Sequence, residues 1–260
     1  MSRKWNRREL AISIGAGGTL AASPSLFGDQ AASPAKLTAM RTVPWPYQPL
    51  NADIAAQRGF SSYLKHHCMY GAFDAIAGSI AERLGPPYSD FPFDMFAYGA
   101  GGINGWATIC GALNGAAAAF QLLSPKPEPL IDTLFNWYEI EQLPNFSPEG
   151  AKFAQVRSVA NSPLCHQSIA NWCKVARKTS YSAERRERCG TLTAAVARKA
   201  VLLLNEQAAG KLVTLSVAES TQACMSCHEK GGAMENIRTM MDCRGCHAPL
   251  IGRHPAKADN

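Results

Sequence analysis

Two short stretches near the end of the chain hold residue types that can do chemistry, at a spacing that suits it. They read Cys224-Met225-Ser226-Cys227-His228 and Cys243-Arg244-Gly245-Cys246-His247. Each is C-x-x-C-H, the pattern by which a c-type haem is attached. Two thiols at this spacing can each form a thioether with one vinyl group of the same porphyrin. The adjacent histidine, His228 or His247, then reaches the iron as proximal ligand. The doubled pattern predicts two haem c groups per subunit, held through Cys224, Cys227, Cys243 and Cys246.

The same cysteines also read C-x2-C-x15-C-x2-C, a zinc-ribbon spacing. A four-thiolate zinc site has no use for a histidine directly after the second cysteine of both pairs. Two structural disulfides would need neither histidine. Haem is the reading adopted, with a zinc-binding structural module kept as an alternative.

Of the six histidines, His66, His67, His166 and His254 remain for the distal positions. His166 follows Cys165 and is the first candidate, although a hydrogen-bonding role at a helix start accounts for it equally well. His254 lies close to the second motif in a polar tail. His66 and His67 also fit a solvated pair at a helix start. Met225, Met234, Met240 and Met241 offer a thioether ligand instead, which would raise the potential. His/His ligation is the expectation.

Five further cysteines stand outside the haem motifs: Cys68, Cys110, Cys165, Cys173 and Cys189. Being odd in number, they do not form a pure disulfide framework. Cys68, Cys110 and Cys189 fall on apolar stripes of expected helices, and Cys165 on a helix start. Buried cysteine is common as plain core filler. Four thiolates are also what a [2Fe–2S] or [4Fe–4S] cluster needs, or a structural zinc.

The elements that must position these residues are helical. Cys68, Ala72, Phe73, Ile76, Ile80 and Leu84 recur at three- and four-residue steps and predict a helix over 67–84, stopped by Gly85-Pro86-Pro87. The glycine-rich Gly99–Gly105 marks a turn. A helix is expected from about Trp106 to Leu123, with Trp106, Cys110, Leu113, Ala117 and Phe120 on one face. A short helix carries Leu130, Leu134, Trp137 and Tyr138. Asn161-Ser-Pro-Leu-Cys reads as a capped entry to a helix bearing Cys165, His166, Ile169 and Cys173. The charged run Glu184–Arg188 opens a long helix with Cys189, Leu192, Val196, Ala200 and Leu203 on its stripe. Val43-Pro-Trp-Pro-Tyr is an extended strap, and Lys211–Val217 is the one weak strand candidate. The fold class is therefore mainly α: a helical, Cys-rich domain over 37–214, then a small, irregular, dihaem c-binding domain over 215–260.

The first 36 residues are basic, contain the pair Arg7-Arg8 and continue into a weakly apolar run, Leu10–Ala22. This reads as a twin-arginine-like export signal and linker, too short and glycine-rich to span a bilayer. Its loss takes away five basic and two acidic side chains and brings the formal net charge from +6 to +3. No basic patch of the nucleic-acid kind is left. At 260 residues and 47% apolar, the chain can bury a sizeable core. No Ser/His/Asp set, phosphate loop or H-E-x-x-H helix points to a hydrolase.

Cys110-Gly111-Ala112-Leu113-Asn114-Gly115 carries a C-G-A-x-x-G pattern that resembles the motif of a family of small redox proteins, the C-GCAxxG-C-C family. That family has one cysteine before the motif, matched by Cys68, and two after it, matched by Cys165 and Cys189. Cys173 is extra and could replace one of them. Such a domain followed by two C-x-x-C-H motifs resembles the split-Soret cytochromes c over about residues 50–250. The resemblance implies a homodimer with two stacked, bis-histidine haems per subunit. It also implies an iron–sulfur cluster in the helical domain, taken here as [2Fe–2S], and it allows a haem ligand from the partner subunit. The expected role is periplasmic electron transfer between redox partner proteins, with no membrane span in the mature chain. A multihaem reductase with an open iron site is the enzyme alternative.

Overall fold

Apolar residues at helical spacing dominate the chain, and the computed structural model resolves them into packed helices. It describes residues 42–211 and 219–251, with side chains described for 42–211 and 221–247. These belong to one compact unit, Met40–Asn260. The expected export signal, nearly all of the weak strand candidate and His254 lie outside the described residues.

Helix α1, Ala52–Phe73, runs through a π-helical turn, Asp74–Gly78, into α2, Ser79–Leu84. It starts well before residue 67, the expected start. Asn51 caps it, its side chain accepting from the Asp53 and Ile54 amides at 2.9 and 3.1 Å, as an N-cap asparagine does. The face it buries before residue 67 uses Ala55, Ala56, Gly59, Phe60, Ser62 and Tyr63, a mixture with little apolar periodicity. Two residues break the helix: His66 and His67 have non-helical backbone angles, and His67 sits at φ 68°, ψ −161°. The pair is thus a kink inside a long helix rather than a helix start.

The π turn is held by a buried carboxylate. Asp74 receives Arg58 through two hydrogen bonds of 2.9 Å and Ser62 through one of 2.6 Å, and Arg58 also pairs with Glu82. Two 3₁₀ turns follow, Tyr88–Asp90 and Phe93–Gly99. They stack Phe91, Phe93 and Phe96 around Phe73, with ring centroids 5.2, 5.5 and 4.1 Å away.

Helix α3 is Gly111–Leu123, five residues shorter at its start than expected. Trp106 is 80% exposed in the turn before it, and Cys110 is the N-cap rather than a stripe position. Helix α4 is Glu128–Ile140, α5 Cys165–Ala176 and α6 Ala183–Ala208. The α6 stripe is as expected: Cys189, Leu192, Val196, Ala200 and Leu203 are all buried. Helices α1 and α6 share the largest helix–helix contact. Fully burying each large apolar side chain there is worth about 1.5–3 kcal/mol. Among the described residues the strand content is two isolated bridges, Ile109 with Leu164 and Leu143 with Ser158.

The lead-in is a strap, as expected. Trp45 is buried, with its amide on the Leu122 carbonyl at 2.7 Å, and Tyr47 donates to Asn205 at 2.7 Å. The C-terminal segment forms α7, Glu219–His228, and α8, Arg244–Ile251.

Candidate functional site

Three local devices bring four cysteines from distant parts of the chain together. The first is the α1–α6 packing, which sets Cys68 against Cys189 closely enough for their thiols to share a hydrogen bond. The second is a pair of glycines one turn apart on α3. A Cβ on Gly111 would lie 2.3 Å from the Gly99 carbonyl and 3.0 Å from the Cys68 Cβ, and one on Gly115 would lie 2.2 Å from the Met69 carbonyl. Only glycine lets α3 approach the backbone after the kink this closely. The third is a backbone zipper between the turn before α3 and the start of α5. Cys110 N donates to Pro163 O at 2.8 Å, Cys165 N to Thr108 O at 2.7 Å, and His166 N to Ala107 O at 3.1 Å. These bonds satisfy the first amides of α5, so the expected side-chain cap is replaced by loop carbonyls; Leu164 is the N-cap.

The resulting pocket contains Cys68, Cys110, Cys165 and Cys189, all buried and all free thiols. Each is within electrostatic range of the others. Cys173, about two helical turns beyond Cys165, is half-buried at the edge and faces Cys189, Arg185 and Arg188.

Burial pushes the Cys110 thiol up and the Cys165 thiol up to about 12. Cys68 is held protonated by its hydrogen bond to Cys189 and by burial. Cys189 goes the other way: the bond from Cys68, with the Arg188 and Arg185 guanidinium groups, holds it down to about 5 against the effect of burial. Of the four pocket thiols, Cys189 is the one whose surroundings favour the anion, the form in which cysteine binds metals.

Two cations attend it. Arg185 Nη1 lies 4.0 Å from the Cys189 sulfur. Arg188 is 5% exposed and gives one hydrogen bond, Nη2 to Ser168 Oγ at 3.0 Å. Its Nε is buried with no partner. Ser168 Oγ also accepts from the Tyr138 hydroxyl at 2.9 Å, and Tyr138 in turn adjoins the Cys110 thiol. Arg188, Ser168 and Tyr138 were not singled out as site residues by the sequence reading. Arg188 stands in a charged run that suggests solvent, and the fold places it one turn before Leu192, on the buried face of α6.

The donor set fits an iron centre. Four thiols from four segments, an orphaned buried guanidinium nitrogen and a thiol biased towards its anion make a pocket for an anionic group. Among the described residues no group of three or more His, Cys, Asp or Glu side chains is drawn together closely enough to hold a metal ion as it stands. The thiols are neighbours rather than a finished ligand shell.

The C-x-x-C-H segments lie at the ends of the two C-terminal helices. Cys224, Cys227 and His228 finish α7; Cys243 precedes α8, whose first turn carries Cys246 and His247. Cys243 and Cys224 are close enough for each to bear on the other's charge, so the two motifs stand near each other. The His228 ring is oriented by its Nδ1, 2.8 Å from Asn236 Oδ1. The segment touches the helical body through the Asp242 amide, 3.4 Å from Glu139 Oε1. Met240 and Met241 meet Ile131, Phe135 and Ile109 across a cleft of about 250 Å³. Of the distal candidates, His66, His67 and His166 are all exposed. His66 Nε2 is 3.6 Å from Asp94, and the His67 ring packs edge-on to Tyr63.

No described helix is long and apolar enough to cross a membrane. Residues 70–203 match the model of the family described as "Putative redox-active protein (C_GCAxxG_C_C)". The family name places glycine before cysteine, whereas this chain has Cys110 before Gly111. In this chain the contact at Gly111 leaves no room for a side chain, and the thiol comes from the residue before it. The chain is 38% identical over 216 residues to the split-Soret cytochrome c of Desulfovibrio desulfuricans, covering 78% of this chain and 77% of that one. A solved structure of split-Soret cytochrome c from the same species, described for a novel iron centre, superposes with a TM-score of 0.75 at 36% identity. It covers 83% of this chain and 95% of the other. The pocket cysteines, the paired C-x-x-C-H segments and these matches identify the chain as a member of the split-Soret cytochrome c family, with a redox role.

Proposed function

We propose that the chain is a periplasmic electron-transfer protein with two haems c per subunit and an iron–sulfur cluster in the helical body. The observation that carries this reading is the coexistence, in one chain, of two adjacent C-x-x-C-H segments and a buried four-cysteine pocket. Haem would be held by Cys224 and Cys227, with His228 on the iron, and by Cys243 and Cys246, with His247. The cluster, of [2Fe–2S] type, would be held by Cys68, Cys110, Cys165 and Cys189. Cys173 lies near enough to replace one of them. His166 is the favoured distal ligand; its exposure suits a haem iron of a partner copy in a homodimer. Such groups supply one-electron chemistry, and the protein sets their potentials through ligands, burial and hydrogen bonds.

The domain order supports export through a twin-arginine-like signal within 1–36. That route carries folded proteins, so a cluster could be inserted in the 37–214 body before export, and haem attached to the 215–260 segment afterwards. Redox proteins are the expected partners.

The test is an intact denatured mass beside oxidised and dithionite-reduced optical spectra of the exported protein. A gain of two covalent haems with low-spin spectra and a doubled Soret band on reduction is the expected result. A colourless, zinc-containing protein would overturn it. Carbon monoxide or nitrite binding without loss of a ligand would move the assignment to a reductase.

A further inference from the structure

We infer that Arg188, anchored by Ser168, is a positioning residue that sets the reduction potential of the group bound by the cysteine pocket. The inference rests on the proposed iron centre and goes beyond it. A guanidinium cannot shed its charge at any working pH, and burying one without an anion costs several kcal/mol. Arg188 is 5% exposed, and no ion pair joins it to a carboxylate among the described residues. Its one side-chain bond is to the neutral Ser168 hydroxyl, itself 1% exposed, and its Nε is buried without a partner. Among the described residues the other buried charged groups are Asp74, which is paired with the cation Arg58, and Glu139, which accepts from the Asp242 amide.

What faces Arg188 is the thiol pocket. Cys189 is its neighbour in sequence, and Cys110 and Cys165 both feel its charge. A cluster held by four thiolates is anionic when oxidised and gains one more negative charge when it takes up an electron. A fixed buried cation therefore favours the reduced form and raises the potential. Arg185, half-buried and 4.0 Å from the Cys189 sulfur, acts in the same sense from the solvent side. The Ser168 hydroxyl, locked by Tyr138 at 2.9 Å, fixes where the charge sits.

The experiment is a Mössbauer-monitored redox titration of the full-length, haem-loaded protein labelled with ⁵⁷Fe. Dithionite supplies the single electron. Wild type, Arg188→Met, Arg188→Lys, Ser168→Ala and Arg185→Gln are compared. In Arg188→Met the ratio of reduced to oxidised centre at a fixed potential should fall at least tenfold, which is 59 mV for one electron. Arg188→Lys should stay within about threefold of wild type, which a purely structural role for the guanidinium would not predict. Ser168→Ala and Arg185→Gln should each shift the ratio in the same direction by less. If Arg188→Met does not load iron, these two variants decide. An iron centre present in wild type, with its potential unmoved in the loaded variants, overturns the inference. Wild-type protein without non-haem iron, or full iron retention in Cys68→Ser and Cys189→Ser, overturns the iron-centre reading beneath it.

Discussion

The helical body and the C-terminal segment are built on different terms. In the body, helices α1 to α4 and α6, with the π turn after α1, bury Phe73, Ile76, Ile80, Leu113, Phe120, Leu134, Tyr138, Val196 and Leu203 to 2% exposure or less. Among the described side chains after residue 220, Thr221 alone is buried, while Met234, Ile237, Met240 and Met241 are exposed. The body's side chains suffice to specify it. The segment is held by short-range backbone bonds, such as Met234 N to Cys227 O and Ile237 N to His228 O, and meets the body at the Asp242 amide and Glu139. A piece of this size cannot bury enough surface by itself, and two porphyrins would supply the missing apolar bulk.

The largest test of that contrast removes the porphyrins. Protein carrying Cys224→Ala and Cys227→Ala with Cys243→Ala and Cys246→Ala, or wild type made without haem maturation, should be clipped first in its C-terminal segment. A resistant fragment ending near Gly210 should remain, with the body still melting cooperatively. A segment as protease-resistant as the body would break the comparison.

Next in size is the close contact inside the body. Gly115→Ala puts a Cβ against the Met69 carbonyl, an overpacking that costs about 3 kcal/mol and lowers the melting midpoint by roughly 6–12 °C. It should also lower iron loading, because the strain falls on the backbone next to Cys68. Haem content should be unchanged. Equal loss of both groups would mean that body and segment are not separable.

The sequence showed these parts unevenly. The α6 stripe was legible because Leu192, Val196, Ala200 and Leu203 repeat at helical spacing with large side chains. The first half of α1 was not, because Ala55, Gly59 and Ser62 bury a face that carries no apolar signal; the Asn51 cap was the readable cue. The start of α3 was misplaced because Trp106, apolar and in register, is spent on an exposed turn. The cysteines were found as a set, but Arg188 was hidden inside the charged run Glu184–Arg188, where charge suggests solvent. Its burial comes from tertiary packing, which a local pattern cannot convey.

A smaller effect tests the joint between the two regions. Burial raises the Glu139 carboxyl to about 7, the Asp242 amide opposes the rise, and the Asp242 carboxylate adds to it. An acid whose folded pKa lies above its unfolded value favours the folded state while protonated. That contribution is complete below about pH 4.5 and is lost as pH rises through 7. Melting midpoints should therefore fall between pH 5 and pH 8, and Glu139→Gln should flatten that slope. Because Glu139 is the residue that meets the segment, the same change should slow proteolysis of the segment at pH 8. A slope unchanged by Glu139→Gln would remove the carboxylate from the joint.

The smallest effect sharpens the comparison from within the body, at a place where the backbone departs from the geometry its side chain favours. His67 is held at φ 68°, ψ −161°, a region that costs a residue with a Cβ about 1–3 kcal/mol. The kink turns Cys68 into the pocket while His66 and His67 stay exposed. If the strain serves Cys68, then His67→Gly should relieve it, raising the body's melting midpoint by roughly 2–4 °C for about 1 kcal/mol recovered. Iron loading and the low-spin haem spectrum should both persist, with His166→Ala the variant that turns one haem high-spin. A high-spin signal in His67→Gly would transfer the distal role to His67. The kink would then be a device of the haem segment written into the body, and the two regions would share a ligand as well as a contact.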